Sequence, residues 1–218
     1  YNELYIPCVS CETWCSDIIR DEDRFIPRSF YSESQPGMPV IMFLSMNPGG
    51  GKGGPIEQKG FYKGTPKEKV EKHFKFGREK FIAPKKGFHR KLKKQICAIL
   101  NKPWDKAQYH IIITALFKCS TKGDGMASEK TINTCVDLHL KRELKAWNPM
   151  CIFTLGGAVK KWVDQNSSIF KDYVVGGLTH PSYSGREGKG MTDEDFINEA
   201  KIILNKMPKE IQNRIVSL

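Results

Sequence analysis

The sequence predicts a three-layer α/β/α fold around a central, mostly parallel, four-stranded sheet. Four short apolar runs rich in β-branched residues recur along the chain, at residues 40–45, 109–117, 151–155 and 173–180. They are continuous rather than alternating, as in strands buried on both faces. Helix-like segments separate and follow them, at residues 65–82, 87–101, 128–147, 156–164 and 192–206. Strand alternating with helix implies parallel strands with helices on both sides.

The first run, "VIMFLS", gives way to Met46 and Asn47, then to Pro48 and the glycine-rich stretch "GGGKGG", which ends any strand. Two helical segments follow. The second places Phe88, Leu92 and Ile96 on one side, and "PKKGFHRKLKKQ" (84–95) holds six Lys or Arg in twelve residues. Most of that charge reads as the solvated side of a helix, with DNA phosphate contact as the second reading. "YHIIITALF" is the next strand and runs into Lys118 and Cys119. In residues 128–147, Ile132, Val136, Leu140 and Leu144 recur every four residues and form one apolar stripe. "CIFTL" and "YVVGGLTH" complete the sheet, the latter ending at His180. Sheets of this kind bind ligands beyond the carboxyl ends of their strands. Asn47, Lys118 and His180 each follow such an end, which makes that edge the candidate site.

Composition narrows the function. The 218 residues are 39% hydrophobic, enough for a core without disulfide staples, and suit a single domain over residues 1–218. Apolar runs of about six to eight residues fall far short of the roughly 20 a membrane span needs, so no membrane partner is expected. Residues 1–20 carry Glu3, Glu12 and Asp17 and no long apolar run, unlike a secretory leader. The expectation is a cytoplasmic, nucleoid-associated monomer. A net charge of +11 and a pI near 9.3 favour polyanionic partners, nucleic acid foremost.

The seven cysteines do not form a disulfide framework in such a chain. Cys8-x2-Cys11 is half of a possible metal site, and Cys119 and Cys135 are candidates for the other half, with Cys15 as a rival ligand. Four thiolates suit zinc or an iron–sulfur cluster. The pairs lie over 100 residues apart, too far for a compact zinc ribbon, so the metal would tie the N-terminal segment 1–38 onto the body of the fold. Cys97 and Cys151 sit in apolar surroundings and read as core.

The strand-end residues suggest chemistry. Asn47 has no useful pKa but can hold a water or an amide through its carbonyl and NH2. Gly49, Gly50 and Gly51 let backbone approach a ligand, and their N–H groups can bind an anion. Phe61 or Tyr62 can stack on a flat base. His180 can donate to a developing anion. It is preferred over His73, His89, His110 and His139 because it ends a strand and precedes a loop carrying Arg186 and Lys189. No GxSxG or GxxxxGK[ST] pattern is present, which excludes those hydrolase and P-loop classes.

Taken in order, Cys8-x2-Cys11, "SMNPG" (45–49), Phe61, "KC" (118–119), Cys135, "PMCIFTLGGA" (149–158) and "HPS" (180–182) resemble the uracil-DNA glycosylase superfamily, and the cysteines resemble its iron–sulfur branch (families 4 and 5). The resemblance spans roughly residues 8–186 and is carried by the ordered set. It implies a monofunctional DNA N-glycosylase of base-excision repair acting on a deaminated base flipped out of DNA. It implies a structural [4Fe–4S] cluster on Cys8, Cys11, Cys119 and Cys135, with zinc the lesser candidate. It assigns Asn47 to the attacking water and His180 to the departing base. It places Ser45, Met46, Gly49, Phe61, Tyr62, Thr114 and Ala115 around the nucleotide. Lys52, Ser182, Tyr183, Arg186 and Lys189 would face DNA, the loop after His180 acting as a wedge. In two respects the chain departs from that branch. "SMNPG" is closer to the mismatch-specific and single-strand-selective branches, where Asn precedes the Pro. Ala115 stands where an Asn commonly reads the uracil edge, so Thr114 or a backbone group reads the base, or the base is not uracil. A catalytically weak or inactive nucleic-acid-binding module is the alternative. The Lys-rich segment 63–95 is longer than the family leads one to expect.

Overall fold

The computed structural model describes residues 18–19, 31–35, 37–47, 64–82, 87–121, 127–182 and 190–218. Its elements run β1 (Ile18–Ile19), β2 (Ile41–Ser45), α1 (Pro66–Ile82), α2 (Phe88–Leu100), α3 (Trp104–Ala107), β3 (Ile111–Ala115), β4 (Ser120–Thr121), α4 (Glu129–Cys135), α5 (Lys141–Trp147), β5 (Cys151–Leu155), α6 (Gly157–Gln165), β6 (Val174–Leu178), α7 (Asp193–Asn205) and α8 (Lys209–Val216). The four apolar runs form one all-parallel sheet of order β3-β2-β5-β6. A separate antiparallel ladder joins β1 to β4, pairing Ile18 with Thr121 and Ile19 with Ser120.

The period-two alternation of strand side chains divides the apolar residues between two layers. Ile41, Phe43, Ile111, Ile113, Cys151 and Phe153 face α1, α2, α7 and α8. Met42, Leu44, Ile112 and Ile152 face α4, α5 and α6. Every residue of β2, β3 and β5 is buried, which is why these strands read as continuous apolar runs. On the first face Phe43 stacks on Phe153 with centroids 5.5 Å apart. Full burial of one such side chain contributes roughly 1.5–3 kcal/mol, so these two layers hold the fold together. On β6, a Cβ at Gly176 would sit 2.7 Å from Met207 and 2.9 Å from Ile203, so this glycine lets the C-terminal helices approach the strand.

The stripe of residues 128–147 is one continuous helix, α4 joined to α5 by a wider π-helical turn at Val136–Leu140. Ser128 caps it by accepting from the Thr131 N–H, and left-handed Asn148 (φ 41°) ends it. The second and fourth strands are shorter than the sequence predicts. Residues 108–110 form a 3-10 turn before β3. The Thr179 N–H and hydroxyl donate to Glu199 of α7 rather than continuing the β6 ladder. The Tyr31 and Ile113 backbones exchange two hydrogen bonds of 2.8 and 2.9 Å, and the Ser32 and Ser34 hydroxyls donate to the Ile111 and Tyr109 carbonyls. Part of the predicted N-terminal segment therefore covers the outer edge of β3 by backbone pairing. Among the described residues no helix is long and apolar enough to cross a membrane.

Candidate active site

Strand order locates the site without reference to any motif. The chain leaves β2 for β3 on one side, then returns to place β5 on the other. The topological switch point therefore lies between β2 and β5, where open α/β sheets form their ligand crevice. Asn47 follows β2, Gly156 follows β5, and His180 lies just past β6.

Asn47 is half-buried, and its Nδ2 donates to Thr121 Oγ1 at 3.3 Å. That bond ties the amide to β4. Oδ1 accepts no hydrogen bond among the described residues, and an amide oxygen is an acceptor. Ser45 and Met46 prolong the β2 path, their carbonyls accepting from the Leu116 N–H (2.9 Å) and Phe117 N–H (3.2 Å). The buried Ser45 hydroxyl donates to the Thr114 carbonyl at 3.0 Å, so Ser45 holds two strand ends in register. Gly49, Phe61, Tyr62 and Lys52 lie outside the described residues.

His180 is half-buried, and burial lowers its pKa, so the ring is neutral at pH 7. The Ser182 N–H donates to its Nδ1 at 3.1 Å. Nδ1 is thus the acceptor, and the ring proton resides on Nε2. Phe88 of α2 packs on the ring with centroids 5.3 Å apart. Gly156 lies directly beneath: its φ is +97°, and a Cβ there would come within 3.2 Å of the His180 Cβ. Gly156 also donates its N–H to the Leu178 carbonyl at 2.7 Å, joining the ends of β5 and β6. Buried Gln95 of α2 donates to the Thr179 carbonyl at 3.4 Å, and Glu199 holds the Thr179 N–H, so the residue before His180 is clamped from two helices. Gly156, Gln95, Glu199 and Thr121 were not among the sequence candidates. Only Gly156, the first glycine after an apolar strand, carried a local signal.

The end of β3 differs. Lys118, expected at the open edge, is 1% exposed and turned inward. Its Nζ donates to Glu143 of α5 at 2.8 Å, and also to Thr114 Oγ1 and the Ala115 carbonyl. The Thr114 hydroxyl donates to Glu143 at 2.7 Å. A buried ammonium needs such a carboxylate, which explains the inward turn. Thr114 and Ala115 are both buried, so neither presents a side-chain donor to a ligand at this edge.

Cys119 is half-buried between Lys118 and β4, and buried Cys135 ends α4. Cys8, Cys11 and Cys15 lie outside the described residues, within which no group of three or more His, Cys, Asp or Glu is gathered as for a metal. The β1–β4 ladder nevertheless brings the chain that follows these cysteines against the strand that follows Cys119. Thiolates from these positions are soft donors that fit an iron–sulfur cluster or zinc. Cys151 is a buried core thiol, with a pKa pushed up to about 12 by burial, and Cys97 packs partly buried against the same core.

Ser182 is exposed beside His180, while Tyr183, Arg186 and Lys189 lie outside the described residues. The charge of α2 is largely engaged within the fold. Arg90 and Lys94 bind Asp193, Lys91 lies over Phe196, and Lys93 lies over Trp104 while donating to the Phe81 carbonyl. A groove of about 410 Å³ lies at the opposite, amino-terminal edge of the sheet, lined by residues that include Glu33, Arg78, Trp104 and Tyr109. Its Arg78 is tied to Glu33 at 2.7 Å, and it contains none of the strand-end groups. No protein-family model matches the chain, and no curated protein matches it.

Proposed function

We propose that the chain is a monofunctional DNA glycosylase that hydrolyses the N-glycosidic bond of a deaminated base, uracil or a related one, in base-excision repair. One observation carries the reading: two complementary polar groups flank the switch point. Asn47 offers an acceptor oxygen on one side, and neutral His180 offers an Nε2–H donor on the other. Two strand spacings separate β2 from β6, roughly 10 Å, a span that suits a sugar and its base.

In this reading the base leaves the stack and enters the crevice, at a cost of a few kcal/mol. The C1′–N bond breaks with its electron pair going to the base. Asn47 Oδ1 holds a water against C1′, whose oxygen forms the new bond, and the water proton passes to solvent or to the released base. The His180 Nε2–H stabilises the negative charge on the departing base without transferring its proton. Early bond breaking leaves a sugar cation that needs no strong base. Gly49 and its neighbours admit the sugar and phosphate, Phe61 or Tyr62 stacks on the base, and Lys52, Ser182, Tyr183, Arg186 and Lys189 contact DNA. Cys8, Cys11, Cys119 and Cys135 would hold a structural [4Fe–4S] cluster, which would fasten the N-terminal segment and supply no step of the cleavage.

The closed end of β3 favours a second reading. With Ala115 buried and the Thr114 proton given to Glu143, no side chain there reads a uracil edge. The fold would then serve as a nucleic-acid-binding module without the reaction. Single- and double-stranded oligonucleotides carrying uracil, hypoxanthine, xanthine or mismatched thymine decide between the two. Alkali-labile scission of one or more substrates supports the glycosylase. Binding without scission of any of them supports the module.

A further inference from the structure

Gln95 is 0% exposed, among the buried residues Leu92, Ile96, Ile99 and Leu100 of α2. An apolar side chain is the ordinary occupant of such a position. The Gln95 Nε2 donates to the Thr179 carbonyl at 3.4 Å, a long bond, and Oε1 is buried without a hydrogen-bond partner among the described residues. A half-satisfied buried amide lowers stability relative to an apolar side chain of similar size. What Gln95 does contribute is a hold on the peptide that joins Thr179 to His180.

The preceding peptide is held from the other helix. The Thr179 N–H donates to both Glu199 oxygens, at 3.1 and 3.0 Å, and the Thr179 hydroxyl donates to Oε1 at 2.6 Å. Both peptide groups of Thr179 are thus fixed, one by α7 and one by α2. The two helices are themselves tied together, since Asp193 of α7 accepts from Arg90 and Lys94 of α2. β6 is an edge strand of the sheet, and beyond Leu178 its course is set by these side chains rather than by a ladder. After His180, Pro181 confines the histidine backbone to extended conformations, and the Ser182 N–H holds the ring through Nδ1.

We propose that Glu199 and Gln95 are positioning residues for His180, fixing the backbone that carries the ring and hence the direction of its Nε2–H. The proposal rests on the reading of His180 as the donor to the departing base. Gln95 then serves placement rather than stability, a trade met at functional sites.

The test compares the full chain as wild type, Gln95→Met, Glu199→Ala and Glu199→Gln, each with 15N-labelled histidine. His180 is identified by the signal lost in His180→Asn. In wild type the ring should show the Nε2–H tautomer and a pKa below 6.5. In Gln95→Met and Glu199→Ala the tautomers should mix, and the pKa should rise toward its ordinary value as the ring loosens into water. Glu199→Gln keeps an acceptor oxygen for the Thr179 N–H and should restore most of the wild-type pattern. Gln95→Met should unfold at the wild-type denaturant midpoint or a higher one, which separates placement from a purely structural role. On a substrate that wild type cleaves, kcat should fall about 10- to 100-fold in Gln95→Met and Glu199→Ala with KM little changed. A wild-type ring pattern in both variants, or an unaltered kcat where the ring has loosened, overturns the proposal. Should Glu199→Ala not fold, Gln95→Met decides alone. A wild type that cleaves no oligonucleotide overturns the glycosylase reading, and the ring spectra then decide the positioning by themselves.

Discussion

The carboxyl ends of β2 and β6 and the carboxyl end of β3 belong to one sheet, yet they handle polar groups in opposite ways. Past β2 and β6, Asn47 and His180 are half-buried, and among the described residues each side chain is held by one hydrogen bond and keeps a further polar atom. Past β3, the buried side chains of Lys118, Thr114 and Glu143 bond to one another and Lys118 also to the Ala115 carbonyl. A ligand-binding edge needs groups fixed in orientation but not fully satisfied. The first two ends meet that condition and the third is built for stability.

The largest expected effect comes from breaking the closed end. Glu143→Ala leaves the Lys118 ammonium buried without its carboxylate and should cost about 3–5 kcal/mol in denaturant unfolding. Lys118→Met combined with Glu143→Leu should recover most of it, because buried ion pairs are often replaceable by packed apolar residues. A cost below about 1 kcal/mol for Glu143→Ala would mean that the pair is solvated.

At the open ends the contrast reverses, with rate changing more than stability. Asn47→Ala should slow base excision by about 100-fold, near 2.7 kcal/mol of barrier, while the unfolding midpoint and oligonucleotide binding stay put. Unchanged cleavage would remove Asn47 from the mechanism. Gly156→Ala places a side chain at φ +97° and against His180, and should cost roughly 1–3 kcal/mol of stability together with a loss of cleavage. Gly177→Ala is its control. Its Cβ would first meet the flexible Lys160 side chain, at 3.4 Å, and little change is expected.

The smallest effect is in pH. Burial opposes the imidazolium form, so the His180 pKa lies below its ordinary value of 6.5. Cleavage should stay flat as pH falls from 8 through 6.5 and decline only in more acid solution, where the ring gains a proton. A rate that rises as pH falls through 6.5 would instead assign the work to the cationic ring.

Much of the fold was legible because its signals are local. Continuous β-branched runs mark strands buried on both faces, and the four-residue apolar repeat of residues 128–147 marks a packed helix even across its π-helical turn. Other elements were not. The two-residue strands β1 and β4 are too short to carry a pattern, and α8 shows its core only through Ile211 and Ile215. The placement of Asn47 and His180 just past strand ends was legible in the sequence. Gln95 and Glu199 were not, since each acts on the backbone of a residue far away in sequence. Lys118 was misplaced because a charged residue after a strand ordinarily points to water, and its partner lies on another helix.

The sequence by itself determined the kinds of element, their order along the chain and the sheet edge at which Asn47 and His180 lie, because apolar periodicity and strand-ending residues are written locally. The tertiary structure alone decided the strand order that puts the topological switch point between β2 and β5, and which strand-end side chains turn inward. Those outcomes depend on pairings such as Lys118 with Glu143 and Gly156 with His180, formed between residues that become neighbours only when the layers pack.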